Sequence, residues 1–277
     1  MQNKIRVFEE LNKLYQANAA NPLLNAAIIK HSELMTEEFR RKSHFYKFIF
    51  KNSRFLVATV TASQFYVNEE AFLSDVKAEC LKFGIISTNT ISNLLTLMSV
   101  SGRIKVKVSN TDKRKVRYFV TDKGANDSLS LINTMTSALD VLYASNAPHH
   151  LSHDNIADYF TRYAEIYQAG VFLIKLVPGV DLFIDKDSGH MIMLNLFKIG
   201  AMPKKEQSKE GALMRISREC GISRSHLRNV FLEAERNNMI TYDHKTGDVE
   251  VLEGFNKMFY TYMAYYFSFV QYGLNKA

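Results

Sequence analysis

The sequence predicts a mainly α-helical chain with two small β-hairpins, and three observations carry that expectation. Apolar residues recur at helical spacing through most of the 277 residues. Strict alternation of apolar and polar residues is confined to 103–108 with 116–121, and to 240–252. A segment of helix, turn, helix and hairpin occurs twice, 136 residues apart.

Residues 4–18 place Ile5, Phe8, Leu11, Leu14 and Tyr15 at helical spacing, and Pro22 ends the pattern. Helices are expected next at 23–41 and 46–65. Between the two alternating stretches, Ile104, Val106 and Val108 face one way and Lys105 and Lys107 the other, and residues 109–115 form a basic tip. The linker 144–149 contains Pro148, and a helix over 154–175 closes at Pro178-Gly179. Proline has a fixed φ and no N–H, so its position at these junctions fits helix boundaries. The second hairpin turns at Lys245-Thr246-Gly247, with Val249 and Val251 on one face. The last helix carries an aromatic stripe, Phe255, Met258, Phe259, Tyr262, Tyr266 and Phe269, suited to packing between helices or chains. These junctions divide the chain into an N-terminal helical region (1–44), a first module (45–144), a connecting helix and linker (145–189) and a second module with the aromatic helix (190–277).

In the repeat, a shift of 136 puts Ile86-Ser87 on Ile222-Ser223, Ile91 on Leu227, Asn93 on Asn229, Leu94 on Val230, Leu95 on Phe231 and Ile104 on Ile240. Upstream, a shift of 140 puts Leu73 on Leu213, Val76 on Ile216 and Glu79-Cys80 on Glu219-Cys220. In the second copy, Gly221 permits a left-handed turn residue, the small Ser217 allows close helix approach, and Ser223 can cap the following helix. A helix-turn-helix followed by a hairpin is a winged helix. The expected fold is therefore mainly α with small β-hairpin wings: two winged-helix modules joined and flanked by packing helices.

The first copy resembles the MarR family of winged-helix transcriptional regulators. Its hairpin reads Asp112-Lys113-Arg114, then Val116, then Val120-Thr121-Asp122-Lys123-Gly124. That is similar to the family's Asp-x-Arg wing and its Thr-x-x-Gly ending that leads into a helix. The resemblance covers about 45–142, with a looser echo over 190–272. It implies that Arg114 is the wing-tip arginine that reaches a minor groove, and that an effector site lies between helical and DNA-binding parts. The chain departs from the family in having two modules, a longer first turn (81–86), and a second wing with Asp243, Asp248 and Glu250 against only Lys245.

Charge points the same way. The chain carries a net +7, and residues 103–123 hold eight basic and two acidic side chains, a net +6 on one hairpin. Clustered cations of this kind neutralise DNA phosphates. The candidate phosphate contacts are Lys105, Lys107, Lys113, Arg114, Lys115 and Arg117. Candidate base readers in the first copy are Ser87, Thr88, Asn89, Thr90, Ser92 and Asn93, whose short hydroxyl and amide groups suit base edges and phosphates. Those in the second are Arg224, Ser225, His226, Arg228 and Asn229, where arginine can bridge guanine O6 and N7. The expected function is sequence-specific binding of double-stranded DNA in transcription regulation. One alternative is a replication or partition initiator at repeated origin sites. Another, favoured by the acidic second wing, is a protein-interaction scaffold without DNA binding. A homodimer stays open as a partner, as does a small aromatic or apolar effector lined by Tyr260, Tyr265 and Tyr272.

Other classes are excluded or set aside. Two cysteines cannot make a disulfide scaffold or a four-cysteine zinc site, and Cys80 and Cys220 read as buried small hydrophobes. His149, His150 and His153 beside Asp154 read as a polar helix start rather than a metal site. Asp185, Asp187 and Gly189 lack the spacing of a calcium loop. No Walker loop, His-Glu-x-x-His pair or Gly-x-Ser-x-Gly elbow occurs, so an enzyme and a cofactor are not expected. The charge-free stretch 258–275 is slightly short for a bilayer span of about 20 residues. No secretory leader pattern is present, and a cytoplasmic location without a membrane partner is expected.

Overall fold

The computed structural model describes residues 2–68, 70–108, 115–145, 149–201 and 210–275. Over these residues the chain is mainly helical with two antiparallel hairpins. The order is α1 (Gln2–Ala19), α2 (Leu24–Arg41), α3 (Ser43–Ile49), α4 (Asn52–Val67), α5 (Leu73–Lys82), α6 (Thr88–Val100), β1 (Ile104–Val108), β2 (Val116–Val120) and α7 (Asp122–Leu142). Then come α8 (Ile156–Gln168), α9 (Leu173–Leu176), α10 (Asp181–Ile184), α11 (Gly189–Ala201), α12 (Ala212–Cys220), α13 (Arg224–Arg236), β3 (Ile240–Tyr242), β4 (Val249–Val251) and α14 (Glu253–Leu274). The chain forms two compact units, one of Met1–Glu38, Ser53–Phe172 and Tyr265–Ala277, the other of Phe39–Asn52 and Leu173–Ala264.

In the first unit, Tyr118 of β2 is fully buried and donates its hydroxyl to the Thr61 carbonyl at 2.7 Å. Asn18 donates to Ser268 at 2.9 Å, and Tyr15 stacks on Tyr265 at 3.9 Å. Tyr272 is buried, bonds Glu165 at 2.7 Å and lies under the Arg162 guanidinium. In the second unit, every residue of α11 from Gly189 to Phe197 is buried, as expected of a helix that is apolar all round. Phe197 packs on Phe259 and Phe183 on Phe255, so the aromatic stripe of the last helix is core.

Two helix expectations are corrected, those over 46–65 and 154–175, while the helix expected over 4–18 is present. The buried positions of α1 are Val7, Leu11 and Asn18, while Ile5 and Phe8 are exposed. Ion pairs of Arg6 with Glu165 and of Glu10 with Arg162 hold that flank of α1 against α8 and turn Ile5 and Phe8 outward. The helix expected over 46–65 is two helices, because the chain breaks at Phe50-Lys51, where the Phe50 carbonyl accepts the Gly189 N–H instead. The helix expected to reach Lys175 stops at Gln168: Gly170 takes left-handed backbone at φ 71°, the usual helix-terminating geometry.

The two repeated segments coincide in their backbone devices. Ser87 and Ser223 both cap the following helix, accepting the N–H of Thr90 at 3.2 Å and of His226 at 3.1 Å. Both helices end on a left-handed residue, Gly102 at φ 74° and Asn238 at φ 55°. The next N–H then returns to the helix, Arg103 to Met98 and Met239 to Ala234. Past the hairpin, Thr121 donates to the Arg103 carbonyl and Leu252 to the Met239 carbonyl, both at 3.0 Å. The first turn of the next helix then holds a glycine against backbone: a Cβ on Gly124 would stand 2.4 Å from the Arg103 oxygen, and one on Gly254 2.7 Å from the Asn238 oxygen. The buried positions also match, with Val76, Cys80, Ile91 and Ile104 answering Ile216, Cys220, Leu227 and Ile240.

Candidate nucleic-acid interface

The second helix of each segment buries one apolar side and presents the other. In α6, Ile91, Leu94, Leu95 and Met98 are buried. Ser87, Thr88, Asn89, Thr90 and Asn93 are exposed and Ser92 is half-buried. In α13, Leu227, Val230, Phe231 and Ala234 are buried, while Arg224, Ser225, Arg228 and Asn229 are exposed. His226 is half-buried, with its Nε2 enclosed and lacking a hydrogen-bond partner.

The first hairpin pairs Ile104 with Val120, Lys105 with Phe119, Val106 with Tyr118, Lys107 with Arg117 and Val108 with Val116. One face is therefore apolar, and the other aligns Lys105, Lys107 and Arg117. Lys107 and Arg117 are like charges directly opposite each other, a destabilising arrangement in a sheet. Glu70 offsets it with an ion pair to Arg117 at 2.8 Å. Phe72 bridges to Arg117 as a third strand position.

The cations of this hairpin divide into structural and exposed sets. Arg103 pairs with Asp127 at 3.0 Å in a largely buried setting. Lys123 donates to the Ser101 carbonyl at 2.8 Å, and Arg117 is tied to Glu70 with its guanidinium over the Phe119 ring. Lys105, Lys107 and Lys115 are exposed. Lys113 and Arg114 lie outside the described residues.

The second hairpin is closed by its own acid. The Asp243 carboxylate accepts the N–H of Lys245 at 2.7 Å and of Thr246 at 3.3 Å. These backbone hydrogen bonds hold the Asp243 carboxyl below its usual pKa. Gly247 completes the turn at φ 76°. Asp248 accepts the Ala212 N–H, tying the turn to the start of α12.

One cation escaped sequence reasoning. Lys47 of α3 lies across the turn of the second segment, where a Cβ on Gly221 would stand 1.9 Å from Lys47 Cε. Its ammonium therefore sits beside the turn residue Gly221, between α12 and α13. Nothing local in the sequence signals this, because the two residues meet only through the tertiary fold.

Other expected features are placed elsewhere. Cys80 and Cys220 are buried, and burial pushes the Cys80 thiol up to about 12 and raises that of Cys220 as well, so neither supplies thiolate. His149 bonds Asp140 at 2.7 Å and His153 bonds Asn126 at 2.8 Å, both ahead of α8 rather than on it. Among the described residues no group of three or more His, Cys, Asp or Glu could hold a metal. Tyr265 and Tyr272 are packed as described, and Tyr260 lies edge-on to Phe197. A cavity of about 160 Å³ lies between Leu139, Tyr143, His149, Gln271, Leu274 and Asn275. No described helix is long and apolar enough to cross a membrane. In comparisons with known proteins, no family model, no curated protein and no solved structure matched the chain.

Proposed function

We propose that this chain binds double-stranded DNA at specific sequences and regulates transcription, with its two repeated segments acting as winged helices. The observation that carries this reading is a shared frame with unlike outer faces. Caps, left-handed ends, return hydrogen bonds and close-packed glycines coincide, while the exposed residues at matching positions differ, Thr88 against Arg224 and Asn89 against Ser225. The row of a winged helix that enters a groove sets which bases are read.

Phosphate anchoring falls to Lys105, Lys107 and Lys115 on the first hairpin, joined by Lys113 and Arg114 at its tip. Arg114 carries the MarR-like role that the resemblance implies. A pair of chains would restore symmetry to a site that one chain reads asymmetrically. The test is titration of the protein into fluorescent duplex DNA at several salt concentrations. Affinity should fall steeply as salt rises, since each neutralised phosphate releases counterion. Binding that is absent, or flat against salt, would refute the reading.

A protein-interaction scaffold is the second reading, supported by the second hairpin. Its acids are Asp243, Asp248 and Glu250, and Asp243 shapes its turn. A chain that captures no duplex at low salt would favour it.

A further inference from the structure

Resting on the DNA-binding reading above, we infer that the two helices select unlike half-sites: α6 an A·T-rich one, and α13 one that contains guanine.

The outward face of α6 carries Asn89, Asn93, Thr96, Leu97 and Val100 at helical spacing, all exposed. The helix has no charged residue along its 13 positions. Leu97 is 47% and Val100 81% exposed, so the row presents apolar groups as well as amides. In a major groove these apolar groups have one natural partner, the 5-methyl of thymine, while asparagine bridges adenine N6 and N7. The row therefore suits A·T pairs and has nothing for guanine O6.

The matching positions of α13 change this chemistry. Asn93 is matched by Asn229, so an adenine contact is common to both halves. Ser92 is replaced by Arg228 and Val100 by Arg236, both exposed, and Leu97 by Glu233, which pairs with Lys186 at 2.7 Å. An arginine fork is the side chain best fitted to guanine. The anchoring differs in the same sense. The uncharged α6 depends on hairpin lysines for phosphate, while α13 carries its own arginines and has Lys47 at the Gly221 turn that precedes it.

The experiment is selection of duplexes from a random library by the full chain, followed by binding measurements on the recovered site. The expected site holds an A·T-rich block and a separate block with guanine. Deoxyuridine in place of thymidine in the first block, which removes only the methyl groups, should weaken wild-type binding. Arg228→Ser and Arg228→Lys should each cut discrimination for guanine about tenfold and leave the first block unchanged. Because Arg228 is exposed, an unchanged melting temperature confirms that the variants are folded. Two like blocks, indifference to deoxyuridine, or an unaltered guanine preference in both variants would overturn the inference while DNA binding stands. Recovery of no duplex would overturn the inference and the DNA-binding reading together.

Discussion

Gly102 and Asn238 stand 136 residues apart and do the same task, ending α6 and α13 in left-handed backbone so that the next N–H can turn back to the helix. Glycine and asparagine are the residues that tolerate this conformation most readily. No atom lies within 4 Å of a Cβ placed on Gly102, so its substitution isolates backbone strain from packing. Gly102→Ala should cost about 1 kcal/mol. Asn238→Gly should be near neutral. Thermal melting of both variants checks the pair, and an equal loss for both would contradict it.

Gly124 presents the opposite case. Its φ is ordinary, but a Cβ there meets the Arg103 carbonyl oxygen at 2.4 Å, an atom of fixed backbone. Gly124→Ala should therefore destabilise by about 3 kcal/mol, more than Gly102→Ala. The denaturant midpoint measures the difference. The same substitution at Gly254, 2.7 Å from the Asn238 oxygen, should behave alike.

Lys105 and Lys107 are exposed on the hairpin, so removing them should leave folding intact and weaken the proposed DNA binding. Replacing both by alanine should lower the slope of log affinity against log salt by about two, and Lys47→Ala by about one. Arg103→Ala should instead lower the melting temperature, since it removes an ion pair from the buried Asp127 carboxylate. A Lys47 variant with an unaltered slope would remove that residue from the interface.

His31 supplies a pH signature for stability. It is fully buried beside Tyr266 and Phe267, and desolvation lowers its pKa from 6.5 to about 4, with a hydrogen bond to the Thr134 backbone acting weakly the other way. The unfolded chain binds this proton first as pH falls. Stability is therefore full above about pH 6.5 and declines towards pH 4, by about 3 kcal/mol at the limit. Urea midpoints across that window should fall for the wild type, and His31→Leu should remove this part of the slope.

Sequence patterning reveals local devices better than tertiary ones. The shift of 136 residues already pairs Ser87 with Ser223 and Ile91 with Leu227, because caps and buried stripes are local and leave a period in the chain. The hairpins were legible for the same reason. The buried face of α1 was not, since its large apolar residues spread over about half of the helix and the ion pairs with α8 decide which of them face out. The division of the hairpin cations was also hidden. Arg103, Arg117 and Lys107 look alike in sequence, but Asp127 and Glu70, which claim two of them, arrive from other elements. Lys47 marks the limit, because no spacing rule connects α3 to the Gly221 turn.

The carboxylate of Asp243 is the peg around which the six-residue bend of the second hairpin is wound. Exchanging it for lysine to imitate the first hairpin would unwind the bend before any anion was gripped. The segment joining β1 to β2 is longer by one residue. To make the second protrusion grasp a polyanion, an engineer would have to keep this acid and place new cations at the exposed positions around it.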